Sequence, residues 1–408
     1  MKRRRFLAAG CLCGLGVAPL LARAQPVDEV PEWRTPERFA RPETSSDEGG
    51  LWALMDREET RLRRSPFAIR DARLQAHVQD MVCRLAGSHC PDVRVYLMRT
   101  PYFNASMAPN GMMQVWSGLM LRVDNEAQLA AVLGHEIGHY LARHSLERLR
   151  SARTHSSTAT ALSMFGLVGA LAQLGVAASF SGYSRDHERE ADRIGVTLMR
   201  NAGYDPAEAA KIWQNLLLET KANPEARTPN PLFGSHPAPE ERMETLEAIA
   251  RANPGGDSKE EQWNQVAKPF LQEWLADEVK RGQREQSLAL LNRMIARSPN
   301  AAYLYARGET YRLRAGDGDL DAAVADYLAA AGAGGEPAET HRSLGTVYRV
   351  WQQMPAAKAS FQRYLELAPN APDAAMIKSY LRRSEHETTT ADPDCVRADG
   401  LRRRHEDR

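Results

Sequence analysis

Two histidines four residues apart, His135 and His139, share one face of a helix. Imidazoles so placed can hold one metal ion at tetrahedral angles, and Glu136 beside them can reach a water on that ion. The His-Glu-x-x-His spacing therefore describes a zinc site with its own general base. Val132, Leu133 and Ile137 put the segment on a buried helix, and Gly138 leaves room for close approach by another segment. The competing reading is a surface helix with two unrelated histidines.

A catalytic zinc takes three protein ligands and keeps one position for water. The run from Ser184 to Asp192 supplies the third ligand. Glu188 and Asp192 are four apart and share a face, so Glu188 is assigned to the metal. Asp192 is assigned to a hydrogen bond from a ligand imidazole, which fixes tautomer and ring orientation. Glu190 points elsewhere by helical geometry. His187 competes as a ligand but sits off the Glu188–Asp192 face. His144 is expected to face solvent or serve a structural role.

The elements that must position these groups follow from patterning. Apolar spacing predicts helix from Leu51 to about Leu85. Val93, Val95 and Leu97 alternate with Arg94, Tyr96 and Met98 and predict a strand. Turn formers fill Asn104 to Gly111. Met112, Met113, Gln114, Val115 and Trp116 form a second strand, expected at a sheet edge where an extended substrate would pair with the backbone. One helix is predicted from about Asn125 to Leu149 and another from about Asp186 to Asn201. Residues 158–180 are apolar and uncharged. They are expected to form a hairpin that covers the site or touches a membrane surface, a true membrane span being the alternative. A Pro-rich loop covers 223–239, with a short helix to about Arg251.

Past Gly255 the helices repeat. Leu344-Gly345, Tyr348, Ala357, Phe361 and Pro369 fall at tetratricopeptide offsets. Gly308, Tyr311, Ala323 and Tyr327 form a preceding copy, with an insertion around Gly316 to Asp319. A weaker copy ends at Pro299. Stacked helix pairs would create a concave groove. The boundaries expected are an export signal at 1–24, a linker at 25–50, a metallopeptidase domain at 51–255, tetratricopeptide-like repeats at 256–384 and a disordered tail at 385–408.

The N-terminus carries the compartment signal. Basic Met1–Arg5, apolar Phe6–Leu21 and the small-x-small site Ala22-Arg23-Ala24 read as an export signal, by the general secretory or twin-arginine route. Lipidation of Cys11 is the alternative. Cleavage after Ala24 takes five cations with it and moves the formal charge from +1 to −4. Neither value suggests a nucleic-acid binder. In an oxidising periplasm Cys83 and Cys90 can form a disulfide, the alternative being two free thiols.

The His135-Glu136-x-x-His139 pair with Glu188-x-x-x-Asp192 resembles metallopeptidase family 48, which includes HtpX and the CAAX prenyl proteases. Asn104-Ala105, the Met112–Trp116 strand and Ala130–Gly134 match as well. An exported chain with C-terminal repeats is similar to the periplasmic BepA-like branch, although the repeat region is short for it and the cysteines do not match. The resemblance implies an α+β, mostly helical gluzincin fold followed by helical repeats. It also implies one zinc ion, endoproteolysis, and a role in outer-membrane protein quality control alongside outer-membrane assembly machinery. His236 matches a histidine of that branch, with an oxyanion role or a role in holding the site latent, the alternative being a histidine that caps its loop, and Arg242 would position it or the oxyanion. The expected activity is hydrolysis of misfolded or misassembled envelope proteins. The alternatives are a periplasmic chaperone with a latent zinc site and a membrane protease anchored through 158–180.

Overall fold

The computed structural model describes residues 40–155, 183–223, Leu232, His236 and 239–389. The expected signal, most of the linker, the apolar hairpin at 158–180 and residues 390–408 lie outside them. Ser46 caps the first helix, α1 (Asp47–Arg64), its hydroxyl accepting from the Gly49 N–H. Asp71 caps α2 (Ala72–Ala86) by accepting from Arg73 and Leu74. The single helical stretch expected from Leu51 to Leu85 is therefore two helices. Ser65 is extended ahead of Pro66, as the residue before a proline prefers to be. After α2, Cys83 and Cys90 are joined by a disulfide.

Three strands follow, β1 (Arg94–Met98), β2 (Ala105–Met107) and β3 (Met112–Trp116). Their order is β1-β3-β2, with β3 parallel to β1 and antiparallel to β2. This overturns the edge position expected for Met112, Met113, Gln114, Val115 and Trp116: that strand is paired on both sides, and β2 is an edge. The cause is the tight turn before it. Gly111, at φ +83°, donates to the Ala108 carbonyl and folds β2 back onto β3. One sheet face, with Val95, Leu97, Ala105, Met113 and Val115, joins the main core. The other, with Met98, Met112 and Trp116, is covered by Met55 and Leu62 of α1.

α3 (Ser117–Arg122) leads into α4 (Glu126–Leu141), capped by Asn125 and buried on every face. The continuous helix expected to Leu149 is broken. Arg143 takes a left-handed φ of 59°, and α5 (His144–His155) starts from it. α6 (Arg185–Asn201), α7 (Ala207–Lys221) and α8 (Pro239–Ala252) complete the shell around α4. α9 (Glu260–Ala267), α10 (Leu271–Arg281) and α11 (Arg284–Arg297) pack onto the same apolar core. That core runs unbroken from Leu74 to Ala306.

Beyond it lie α12 (Ala301–Arg314), α13 (Asp319–Ala333), α14 (Glu339–Val350), α15 (Met354–Leu367) and α16 (Ala374–Thr389). α12 packs on α13, and α14 on α15, through one repeated contact. A Cβ on Gly308 would lie 2.6 Å from the Tyr327 ring, and one on Gly345 would lie 2.6 Å from the Phe361 ring. Ile377 and Tyr380 of α16 pack against Phe361, and the helix runs on to Thr389. Residues 385–389 are thus helical where a disordered tail was expected. Among the described residues no helix is long and apolar enough to cross a membrane.

Candidate metal centre

α4 and α6 cross with little between their backbones. A Cβ on Gly138 would lie 2.8 Å from the Ala191 carbonyl oxygen, and one on Gly195 would lie 2.8 Å from the His135 nitrogen. This approach sets Glu188 and Asp192, one turn apart on α6, against His135 and His139, one turn apart on α4.

The side chains converge. His135 Nε2 and His139 Nε2 stand 3.0 Å apart. Glu188 reaches both, with Oε2 3.6 Å from His135 Nε2 and Oε1 3.4 Å from His139 Nε2. His236, on the chain ahead of α8, brings Nδ1 to 2.9 Å from Glu188 Oε1 and 3.2 Å from His135 Nε2. All four residues are buried, and one potential ligand atom from each lies within 4.8 Å of the others. The donor set passes a simple test of fit. Glu188 Oε2 and, beside the cluster, Glu136 Oε1 are buried with no hydrogen-bond partner among the described residues. Arg242 Nη1 faces Glu188 Oε2 at 3.3 Å and His236 Nε2 faces Glu136 Oε1 at 3.5 Å, so the fit rests on the donor set itself, three imidazoles and a carboxylate whose atoms converge on one point. These four residues can hold a metal ion.

Asp192 and Arg242 stand behind His135. Asp192 Oδ1 lies 2.9 Å from His135 Nδ1. Arg242 donates to both Asp192 oxygens, at 2.6 and 3.0 Å, and its guanidinium lies 3.9 Å from the centre of the Trp213 ring. Arg242 Nη2 also stands 3.0 Å from His135 Nδ1; in the tautomer that ligates through Nε2, His135 Nδ1–H donates to Asp192 and the guanidinium donates to the same carboxylate. His187 does not join the cluster; its Nε2 meets Glu147 Oε2 at 3.1 Å.

Sequence reasoning missed two contributors. His144 is buried, with Nδ1 2.9 Å from His139 Nδ1, and its other nitrogen meets Glu190. Tyr183 stacks on the His139 ring at 3.9 Å, and its hydroxyl lies 3.0 Å from that of Ser145. The available signal was an aromatic residue directly before the Ser184 cap.

Burial dominates the electrostatics and charge pairing corrects it. Burial raises the Glu136 carboxyl above its ordinary range despite His236 and His135 nearby. The same burial acts on Glu188, but the imidazoles of His236 and His139 outweigh it and hold that carboxyl low. Burial pushes His139 well below the usual histidine range, which favours the neutral, ligating form.

Residues 68–250 match Peptidase family M48. The chain is 31% identical over 210 residues to the putative beta-barrel assembly-enhancing protease of Vibrio cholerae, covering 47% of this chain and 42% of that protein. The beta-barrel assembly-enhancing protease of Escherichia coli is 31% identical over 209 residues, with the same coverage. The mitochondrial metalloendopeptidase OMA1 of Arabidopsis thaliana is 33% identical over 143 residues, or 34% of this chain and 29% of that one. The chain thus spans less than half the length of these relatives. With the site geometry and the match agreeing, residues 68–250 are a peptidase family M48 domain.

Proposed function

We propose that this chain is an exported zinc-dependent endopeptidase acting on misfolded or misassembled cell-envelope proteins. The observation that carries the reading is the convergence of His135, His139 and Glu188 on one point with Glu136 alongside. Zinc held there supplies an acidified water and a Lewis acid for the scissile carbonyl. Glu136 takes the proton at a carboxylate oxygen and passes it to the leaving amine. Asp192, held by Arg242, keeps the His135 ring in register. Extended substrate pairs with β2, an edge strand of the sheet whose Met107 borders the same small gap as His139. Backbone pairing of this kind gives affinity with little sequence preference, which suits unfolded clients.

His236 would supply a fourth ligand to a metal held there. A catalytic zinc needs its fourth position for water, so we read His236 as a latch that holds the resting site shut. The tetratricopeptide-like repeats gather clients in the periplasm, and the names of the bacterial relatives point to β-barrel proteins among them. The latched site also favours a second reading, a chaperone whose peptidase is silent at rest.

Glu136→Gln tests the first. The variant should keep its metal while casein hydrolysis falls by at least about 100-fold. Unchanged hydrolysis would defeat the assignment, and client maturation that survives the substitution selects the chaperone.

A further inference from the structure

We propose that His144 and Glu190 form a positioning relay that sets the proton on His139 and so readies its Nε2 for the metal. The proposal rests on the metal reading of the site. It begins with the break after α4. Arg143, left-handed, donates to the Tyr140 carbonyl at 3.0 Å, and His144 opens α5 directly after it with its side chain fully buried. His144 Nδ1 lies 2.9 Å from His139 Nδ1, and His144 Nε2 lies 3.2 Å from Glu190 Oε2.

Proton bookkeeping along this line has one solution compatible with a metal. A carboxylate accepts, so His144 Nε2 carries the proton that faces Glu190. A neutral His144 then has a lone pair at Nδ1, and His139 Nδ1–H donates to it. His139 Nε2 is left bare, 3.0 Å from the bare Nε2 of His135. The reverse polarity would place the His139 proton on Nε2, inside the ligand cluster. His187 stacks on the His144 ring, with centres 4.3 Å apart at 22°, and fixes its plane.

One helix thus serves both ligand histidines by different devices. Asp192 reaches His135 directly. Glu190, two residues earlier on α6, reaches His139 through an interposed imidazole. Outer partners of ligand histidines typically change metal affinity by about 10–100-fold.

The test uses the full-length mature chain, stripped of metal, with zinc affinity read by chelator competition and geometry read from the visible spectrum of bound cobalt(II). His144→Leu should bind zinc about 10–100-fold more weakly and shift the cobalt bands. His144→Gln should recover most of the affinity, because its amide oxygen accepts from His139 while its NH2 donates to Glu190. Glu190→Ala, at a partly exposed position, should weaken zinc without the risk of misfolding. Wild-type affinity in His144→Leu overturns the relay, as does wild-type affinity in Glu190→Ala should the leucine variant not fold. A loss in His144→Gln equal to that in His144→Leu also overturns it, since packing alone would then explain both. Failure of the unsubstituted chain to bind zinc overturns the metal reading instead.

Discussion

His236 reaches the centre from a bend in the chain rather than from α4 or α6. It can therefore leave without dismantling either helix. If its hold on the centre amounts to about 1.4 kcal/mol, one good hydrogen bond, His236→Ala raises casein turnover about tenfold. An oxyanion role predicts the opposite, a loss of about 100-fold or more. Steady-state assays on metal-loaded protein separate the two. At this scale much was legible. His135, Glu136 and His139 stood out by spacing, and the four-residue step from Glu188 to Asp192 marked the facing helix. His144 did not, because in an unbroken helix it would turn away from His139. Only the left-handed Arg143 brings it back, and no pattern in the sequence announces a positive φ at an arginine.

The element that sets the geometry is the crossing of α4 and α6. Gly138→Ala puts a methyl group 2.8 Å from the Ala191 backbone, where no flexible side chain can give way. The helices must part, so overpacking should cost about 1–3 kcal/mol in urea unfolding and weaken metal binding in the same protein. Native stability with unchanged metal affinity would show that the crossing has slack. α4 was read as a buried helix from Val132, Leu133 and Ile137, and α6 carried the four-residue step from Glu188 to Asp192. β2 was not read, because three residues are too few to show alternation and turn formers surround them. Missing it moved the sheet edge to the wrong strand.

On the scale of the molecule, a buried ion cluster ties the peptidase elements to the helices beyond them. Arg122 of α3 meets Glu219 of α7 at 2.7 Å and Glu278 of α10 at 2.9 Å. Burial alone would raise the Glu278 carboxyl, but Arg122 and Arg281 pull it from 4.5 down to about 2. A depressed folded pKa gives stability that is full above about pH 4.5 and lost as pH falls through about 2. Melting temperature should therefore drop across that window, and less steeply in Glu278→Gln. That variant should already be destabilised by about 3–5 kcal/mol at neutral pH. Parallel pH profiles would remove the cluster from the account. This tie was not legible, since the helical repeats past Gly255 gave no sign that the core continues into them.

Trp263 and Trp274 belong to that continuous core, yet both lie past residue 250, where the family match stops. A recombination breakpoint at 255 would leave two tryptophan sockets open to water. The heritable module here is longer than the segment that names it, and transplanting the peptidase into another protein means carrying the chain at least to Ala306.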